Sequence, residues 1–214
     1  MLPNTAVPNG VDHLVYLVGD LEVGRDEIEQ LFGVRPVLGG RHPRWRTHNA
    51  LLSLGTATYL EVIAPDPQLG VPERGVLFAA DRIREPRLAT WVLRSELIDA
   101  TVAAASAAGI GIGAVESGSR QSPDGTLISW RLSDPYAVPL GGAVPFLISW
   151  GSTPHPAGAA TRVGELVGLR IEHPEPEQVR KALSALGVEM DVRMGDRYQL
   201  IARIRTARRD VEIR

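Results

Sequence analysis

The chain has 214 residues, enough for a well-buried core in one large domain or two small ones. Its 25 acidic and 23 basic residues leave a formal charge of −2, which gives no electrostatic case for a nucleic-acid or bilayer partner. There is no cysteine, hence no disulfide and no thiol chemistry, as fits a reducing compartment. The first residues lack a basic stretch followed by an apolar run, and no apolar run reaches the ~20 residues a membrane span needs. The expectation is a cytoplasmic globular protein with no nucleic-acid or membrane partner.

Taken in order, the chain reads as one pattern met three times. An apolar strand leads into an amphipathic helix that stops at a glycine. The first set is His13 to Val18, then Leu21 to Phe32, then Gly33. The second is Leu88 to Leu93, Glu96 to Ala108, Gly109. The third is Leu166 to Ile171, Glu175 to Leu186, Gly187. The glycines stand 76 and 78 residues apart, as a repeated supersecondary unit would place them. Leu21, Ile28, Leu31 and Phe32 share one helical face, as do Val179, Leu183 and Leu186. Short strands follow each helix: 34–38, 50–54 and 59–63; then 112–117, 126–132 and 145–150; then 189–193, 199–206 and 210–214. Gly39-Gly40, Gly55-Thr56 and Pro123-Asp124-Gly125 supply the turns. The connectors 65–86 and 151–161, rich in Pro, Gly and Ala, are loops.

The predicted fold is therefore α+β, made of β-α-β-β-β units. Units 9–65 and 87–151 pair into a curved, mainly antiparallel half-barrel within a domain of residues 1–155. Residues 162–214 form a third, degenerate unit. Side chains from the first and last strands of each unit would point into the cup. The third unit is then a scaffold or a surface for self-association, which makes a homodimer the expected assembly.

The order of motifs resembles the vicinal oxygen chelate superfamily, the fold of glyoxalase I, extradiol dioxygenases and fosfomycin-resistance proteins, and within it the glyoxalase-like domain family. The residues that carry the likeness are Val11-Asp12-His13-Leu14-Val15-Tyr16, Gly39-Gly40-Arg41-His42-Pro43, Thr47-His48-Asn49-Ala50-Leu51-Leu52, Tyr59-Leu60-Glu61-Val62-Ile63-Ala64-Pro65 and Pro145-Phe146-Leu147-Ile148-Ser149-Trp150. They run over about residues 9 to 155. The resemblance implies a divalent metal held by residues of the first and last strands, the positions of His13 and Glu61. The second unit departs from the pattern: Ala89 or Thr90 stands for His13, and Ile148 or Ser149 for Glu61.

One imidazole and one carboxylate suit Zn, Fe, Mn or Ni, and a third ligand is required. His48 is the natural candidate, with His42 and His155 as alternatives. A metal so held would polarise a small oxygenated substrate as a Lewis acid, with Glu61 as the catalytic carboxylate. Without a metal, His13 and Glu61 are an acid–base pair. Substrate contacts are expected from Arg120, Trp130, Arg131 and Trp150; alternation lets at most one of Trp130 and Arg131 face the cup. Arg120 or Arg131 suits a carboxylate or phosphate. Trp91 reads as core. The run Arg41 to Arg46, with Trp45, reads as a lid or a solvated loop. The leading function is a metal-dependent enzyme of glyoxalase or dioxygenase type, with lyase or isomerase chemistry favoured over ring cleavage. The alternative is a metal-free protein that binds or sequesters a small apolar or aromatic molecule.

Overall fold

The computed structural model describes residues 6–70, 74–75, 77–78, 83, 85–122 and 124–214. Pro123 of the expected turn and part of the 65–86 connector lie outside them. The elements are β1 (Val11–Leu17), α1 (Leu21–Phe32), β2 (Val37–His42), β3 (Thr47–Ser53), β4 (Tyr59–Pro65), β5 (Arg87–Arg94), α2 (Ile98–Ala107), β6 (Val115–Gln121), β7 (Leu127–Ser133), β8 (Phe146–Ser149), β9 (Gly164–His173), α3 (Pro176–Ala185), β10 (Asp191–Met194), β11 (Gln199–Thr206) and β12 (Asp210–Ile213). Among the described residues no helix is long and apolar enough to cross a membrane.

The helices begin and end where local chemistry puts them. The Asp20 carboxylate caps α1 by accepting from the Val23 N–H at 3.0 Å, and Gly33 closes it in the left-handed region at φ 72°. Gly109 and Gly187 take the same conformation after α2 and α3. Pro176 opens α3, where its missing N–H costs nothing.

The fold is α+β and mostly sheet. Eight strands form a curved sheet in the order β1-β4-β3-β2-β6-β7-β8-β5. It goes one step beyond the expected half-barrel, because β5 pairs with β1 and β2 meets β6 through one residue pair, Arg41 with Gln121, closing the ring. The other four strands form a separate sheet, β10-β9-β11-β12. It is stitched to the ring by Val163 N–H to Ser53 O, Leu166 N–H to Leu54 O and the Tyr198 hydroxyl to Gly142 O.

Alternation sorts the apolar residues into two layers. Leu14, Leu60, Val62, Trp91 and Leu147 face outward, in one cluster with Ile28, Ala105, Leu169 and Leu183 under the helices and against the smaller sheet. Trp91 is core, as read, with its indole N–H on Ala143 O. Val15, Leu51, Ile63, Val92, Leu132 and Ile148 point into the ring.

Two boundaries moved for a physical reason. Gly39-Gly40 is not a turn but an irregularity inside β2, where the register to β3 shifts between Leu38 and Gly40. A Cβ on Gly40 would overlap Gln121 O, so only glycine lets β2 approach β6 this closely. The turn comes later, at residues 43–46, and it buries Trp45 instead of exposing it.

Candidate functional site

The inside of the ring holds a small cavity of about 50 Å³. Its polar groups come from β1 to β4 and from β6. His13 and Glu61 lie on neighbouring strands, point inward and are almost fully buried. His13 Nε2 and Glu61 Oε2 face each other at 3.7 Å. The Tyr59 ring stacks on the imidazole, with centroids 4.5 Å apart and planes 15° apart.

Each of the two groups is held from behind. His13 Nδ1 lies 2.8 Å from Asp12 Oδ1, so its Nδ1–H is committed to that carboxylate. The Asn49 amide donates to Glu61 Oε1 at 2.5 Å. At 3.7 Å His13 Nε2 and Glu61 Oε2 are within ion-pair range and beyond direct hydrogen-bond distance, and both residues line the cavity.

Asp12 is wholly buried. Its other oxygen, Oδ2, accepts from Arg94 Nε at 2.9 Å, Trp150 Nε1 at 3.1 Å and His155 Nε2 at 3.1 Å. His155 Nδ1 accepts the Ala157 N–H, which assigns its proton to Nε2. Burial alone would raise the Asp12 pKa, but the hydrogen bonds from His13 and His155 hold it well below the usual carboxylate range. Strict alternation would turn Asp12 away from His13. A bulge prevents this: Val11 pairs with Leu93 and His13 with Val92, so β1 spends one extra residue there.

His42 lies behind Asn49, its Nε2 3.4 Å from the amide nitrogen and its Nδ1 3.0 Å from Thr47 Oγ1. Burial pushes its pKa down to about 4, so the ring is neutral near pH 7. Arg120 enters from β6 across the β2–β6 seam and is 5 % exposed. It donates through Nη1 to Gly39 O and makes no ion pair with a described residue. Burial lowers its proton affinity, opposed by Tyr59 and Glu61, and a guanidinium remains charged.

The rest of the wall is aromatic and aliphatic. Trp45 and Trp130 stack at 6.1 Å, and Trp130 meets Trp150 at 5.7 Å. Gly118 makes room for them, since a Cβ there would lie 2.5 Å from Trp130 Nε1 and 2.6 Å from the Trp45 ring. Phe146, Ile148 and Leu132 complete the side contributed by β7 and β8. Among the second unit's stand-ins, Ala89 and Ile148 join the inner apolar cluster, while the Thr90 hydroxyl donates to Gly142 O.

Of the residues expected to form the site, His13, Glu61, Arg120, Trp130 and Trp150 line this cavity. His48 does not. The phase of β3 turns Asn49 inward and His48 outward, into a groove beside Leu21 and Glu22. Arg131 also faces away and forms a two-pronged ion pair with Asp99 of α2, both contacts at 2.7 Å. Asp12, Asn49 and Trp45 complete the site and were not expected in it. The Asp12-His13 dipeptide was the available signal for the first. Trp45 reads from the sequence only as part of a lid or a solvated loop, and Asn49 only as one residue of the Thr47–Leu52 motif.

The two-His, one-carboxylate metal set is not assembled. Among the described residues no three of His, Cys, Asp and Glu are grouped to hold a metal ion. His13 and Glu61 supply two donors. The cavity also holds His42, whose Nε2 lies 3.4 Å from the Asn49 amide nitrogen, the Tyr59 phenol, an amide already donating to Glu61 and a guanidinium, and these are not grouped with His13 and Glu61 as a divalent site requires.

A family profile described as a glyoxalase-like domain matches residues 11–187, from β1 through α3. Among solved structures, a hypothetical protein from Staphylococcus aureus superposes with a TM-score of 0.60 at 16 % identity, over 94 % of this chain and 83 % of that one. Methylmalonyl-CoA epimerase from Mycobacterium tuberculosis gives 0.44 at 20 % identity, over 74 % of this chain and 97 % of that one. The Streptomyces coelicolor methylmalonyl-CoA epimerase in complex with 2-nitronate-propionyl-CoA gives 0.47 at 13 %, over 68 % and 100 %. No curated protein matches. The chain belongs to the glyoxalase-like domain family.

Proposed function

We propose that the protein is an enzyme of isomerase or lyase type that moves a proton on a small oxygenated molecule, with Glu61 as base and His13 as its acid partner. The observation that carries this reading is the facing pair itself: His13 Nε2 and Glu61 Oε2 at 3.7 Å, each fixed from behind, by Asp12 and by Asn49. With His13 protonated and Glu61 ionised, Glu61 is free to take a proton from a carbon next to a carbonyl. The C–H electrons pass to the carbonyl oxygen, and His13 Nε2–H is placed to hold the resulting oxyanion. Return of the proton to the same or the adjacent carbon completes an isomerisation; loss of a β-substituent completes an elimination. The aromatic wall excludes water and shapes the cavity for a small substrate. Because the donor set does not fit a divalent ion, no step runs through one.

The test is deuterium wash-in. The protein is incubated in D2O with 2-hydroxyketones, 2-oxoacids and acyl thioesters, with and without a chelator, and exchange is read by NMR. At least one class should exchange, chelator should leave the rate unchanged, and Glu61→Gln should lower it by about 10²-fold or more. Binding of these compounds without exchange in any class would assign the cavity to the alternative, a binding or sequestering protein. Exchange lost to chelator and restored by Zn, Fe, Mn or Ni would return the metal to the mechanism.

A further inference from the structure

The cavity contains a charge that the acid–base pair leaves unused. Arg120 is buried, donates one hydrogen bond, to Gly39 O, and pairs with no described acid. Arg120 lines the inner cavity, and it also lines two grooves on the outer side of the same seam. A second donor of the cavity lining is unspent. Trp45 Nε1 is buried and has no hydrogen-bond partner among the described residues. Burying a guanidinium with one acceptor and no counter-charge, and an indole N–H with none, is costly, and the cost is recovered when an acceptor arrives from outside. The surrounding Trp130, Trp150 and Phe146 offer only apolar surface and ring edges.

Resting on the acid–base reading, we infer that the ligand is a small monocarboxylate. Its carboxylate lodges against Arg120 and its apolar or aromatic body lies among the tryptophans. A planar guanidinium matches a carboxylate with two parallel N–H···O bonds, and the aromatic walls favour a compact hydrophobic remainder. The charged end then sits at the β2–β6 seam, and the reacting carbon is presented to the His13–Glu61 pair.

Three tryptophans line the cavity, so intrinsic fluorescence reports occupancy. The probes are propionate, butyrate and benzoate, each beside its own amide, which keeps the shape and removes the charge. Wild-type protein should bind at least one acid about tenfold or more tighter than its amide, as a charge-assisted hydrogen bond supplies. Arg120→Gln should erase the preference, and Arg120→Lys, which keeps the charge, should retain part of it. This assay reads binding and the deuterium wash-in reads exchange, so failure of the proton-transfer reading leaves this result standing, and the reverse also holds. Equal binding of acids and amides by the wild type, no binding of either, or a preference that survives in a folded Arg120→Gln protein would overturn the inference. The wild-type comparison decides even if Arg120→Gln does not fold.

Discussion

The ring is built from two runs of four strands, β1 to β4 and β5 to β8. In each run the first strand pairs in parallel with the last: His13 opposite Tyr59 in one, Val92 opposite Phe146 in the other. The backbones agree and the inward side chains do not. The first run presents His13, Asn49 and Glu61, backed by Asp12. The second presents Val92, Leu132, Phe146 and Ile148, and its one inward charge is Arg120 at the seam. A strand scaffold holds either set, and buried polar groups favour having partners. The first wall chains His13, Asp12, Asn49 and Glu61 together and leaves Asn49 Oδ1 and Trp45 Nε1 without a partner among the described residues, whereas the second has almost no polar groups to satisfy. The lesson is that in this fold the chemistry lies in which wall is polar and how that wall is wired, and strand order alone does not reveal it.

The largest disruption of this contrast should come from Asp12→Asn. The change removes a buried charge and leaves Arg94 without its partner, for a loss of about 3–5 kcal/mol by denaturant unfolding. Its pH dependence has a definite sign. The folded-state pKa of Asp12 is depressed, so its stabilisation is present above the ordinary value of 3.8 and is lost as pH falls below it. Unfolding midpoints of the wild type should drop in acid more steeply than those of the Asp12→Asn variant. Equal slopes would mean that the buried carboxylate is not the group that titrates.

A smaller effect is expected on the apolar side. Gly118→Ala forces a methyl group between Trp130 and Trp45, costing about 1–3 kcal/mol and altering the tryptophan fluorescence. Unchanged fluorescence and stability would show that the indoles are not packed on that glycine. Smaller still is Ile148→Val, one methylene from the apolar wall, for which calorimetry should read about 0.5–1.5 kcal/mol. The same change should leave proton exchange nearly intact, because Ile148 touches neither end of the His13–Glu61 pair through a polar atom. A collapse of exchange in Ile148→Val would erase the division of labour between the walls.

Much of this was legible from the residues alone. Helical periodicity and the closing glycines located α1, α2 and α3, and alternation located β1 and β4. Those predictions hold because they depend on neighbours within one helix face or one short strand. The phase of β3 was not legible. Thr47-His48-Asn49-Ala50-Leu51-Leu52 is buried on both faces for most of its length, so its hydrophobic pattern does not say which residue points inward. His48 was chosen for its chemistry, and packing chose Asn49.

Asp12 and Arg120 mark the same boundary. The sequence by itself determined the α+β class and the succession of strands and helices, since these follow from local periodicity, while the expectation that His13 and Glu61 share one site came from the family resemblance. Only the tertiary structure decided that a bulge turns Asp12 onto His13, that the ring closes at a single β2–β6 pair, and that Arg120 spans this seam into the cavity. A bulge shifts alternation by one residue, and a closure joins strands 80 residues apart, Arg41 to Gln121. Neither leaves a signal within the span of residues that local periodicity can read.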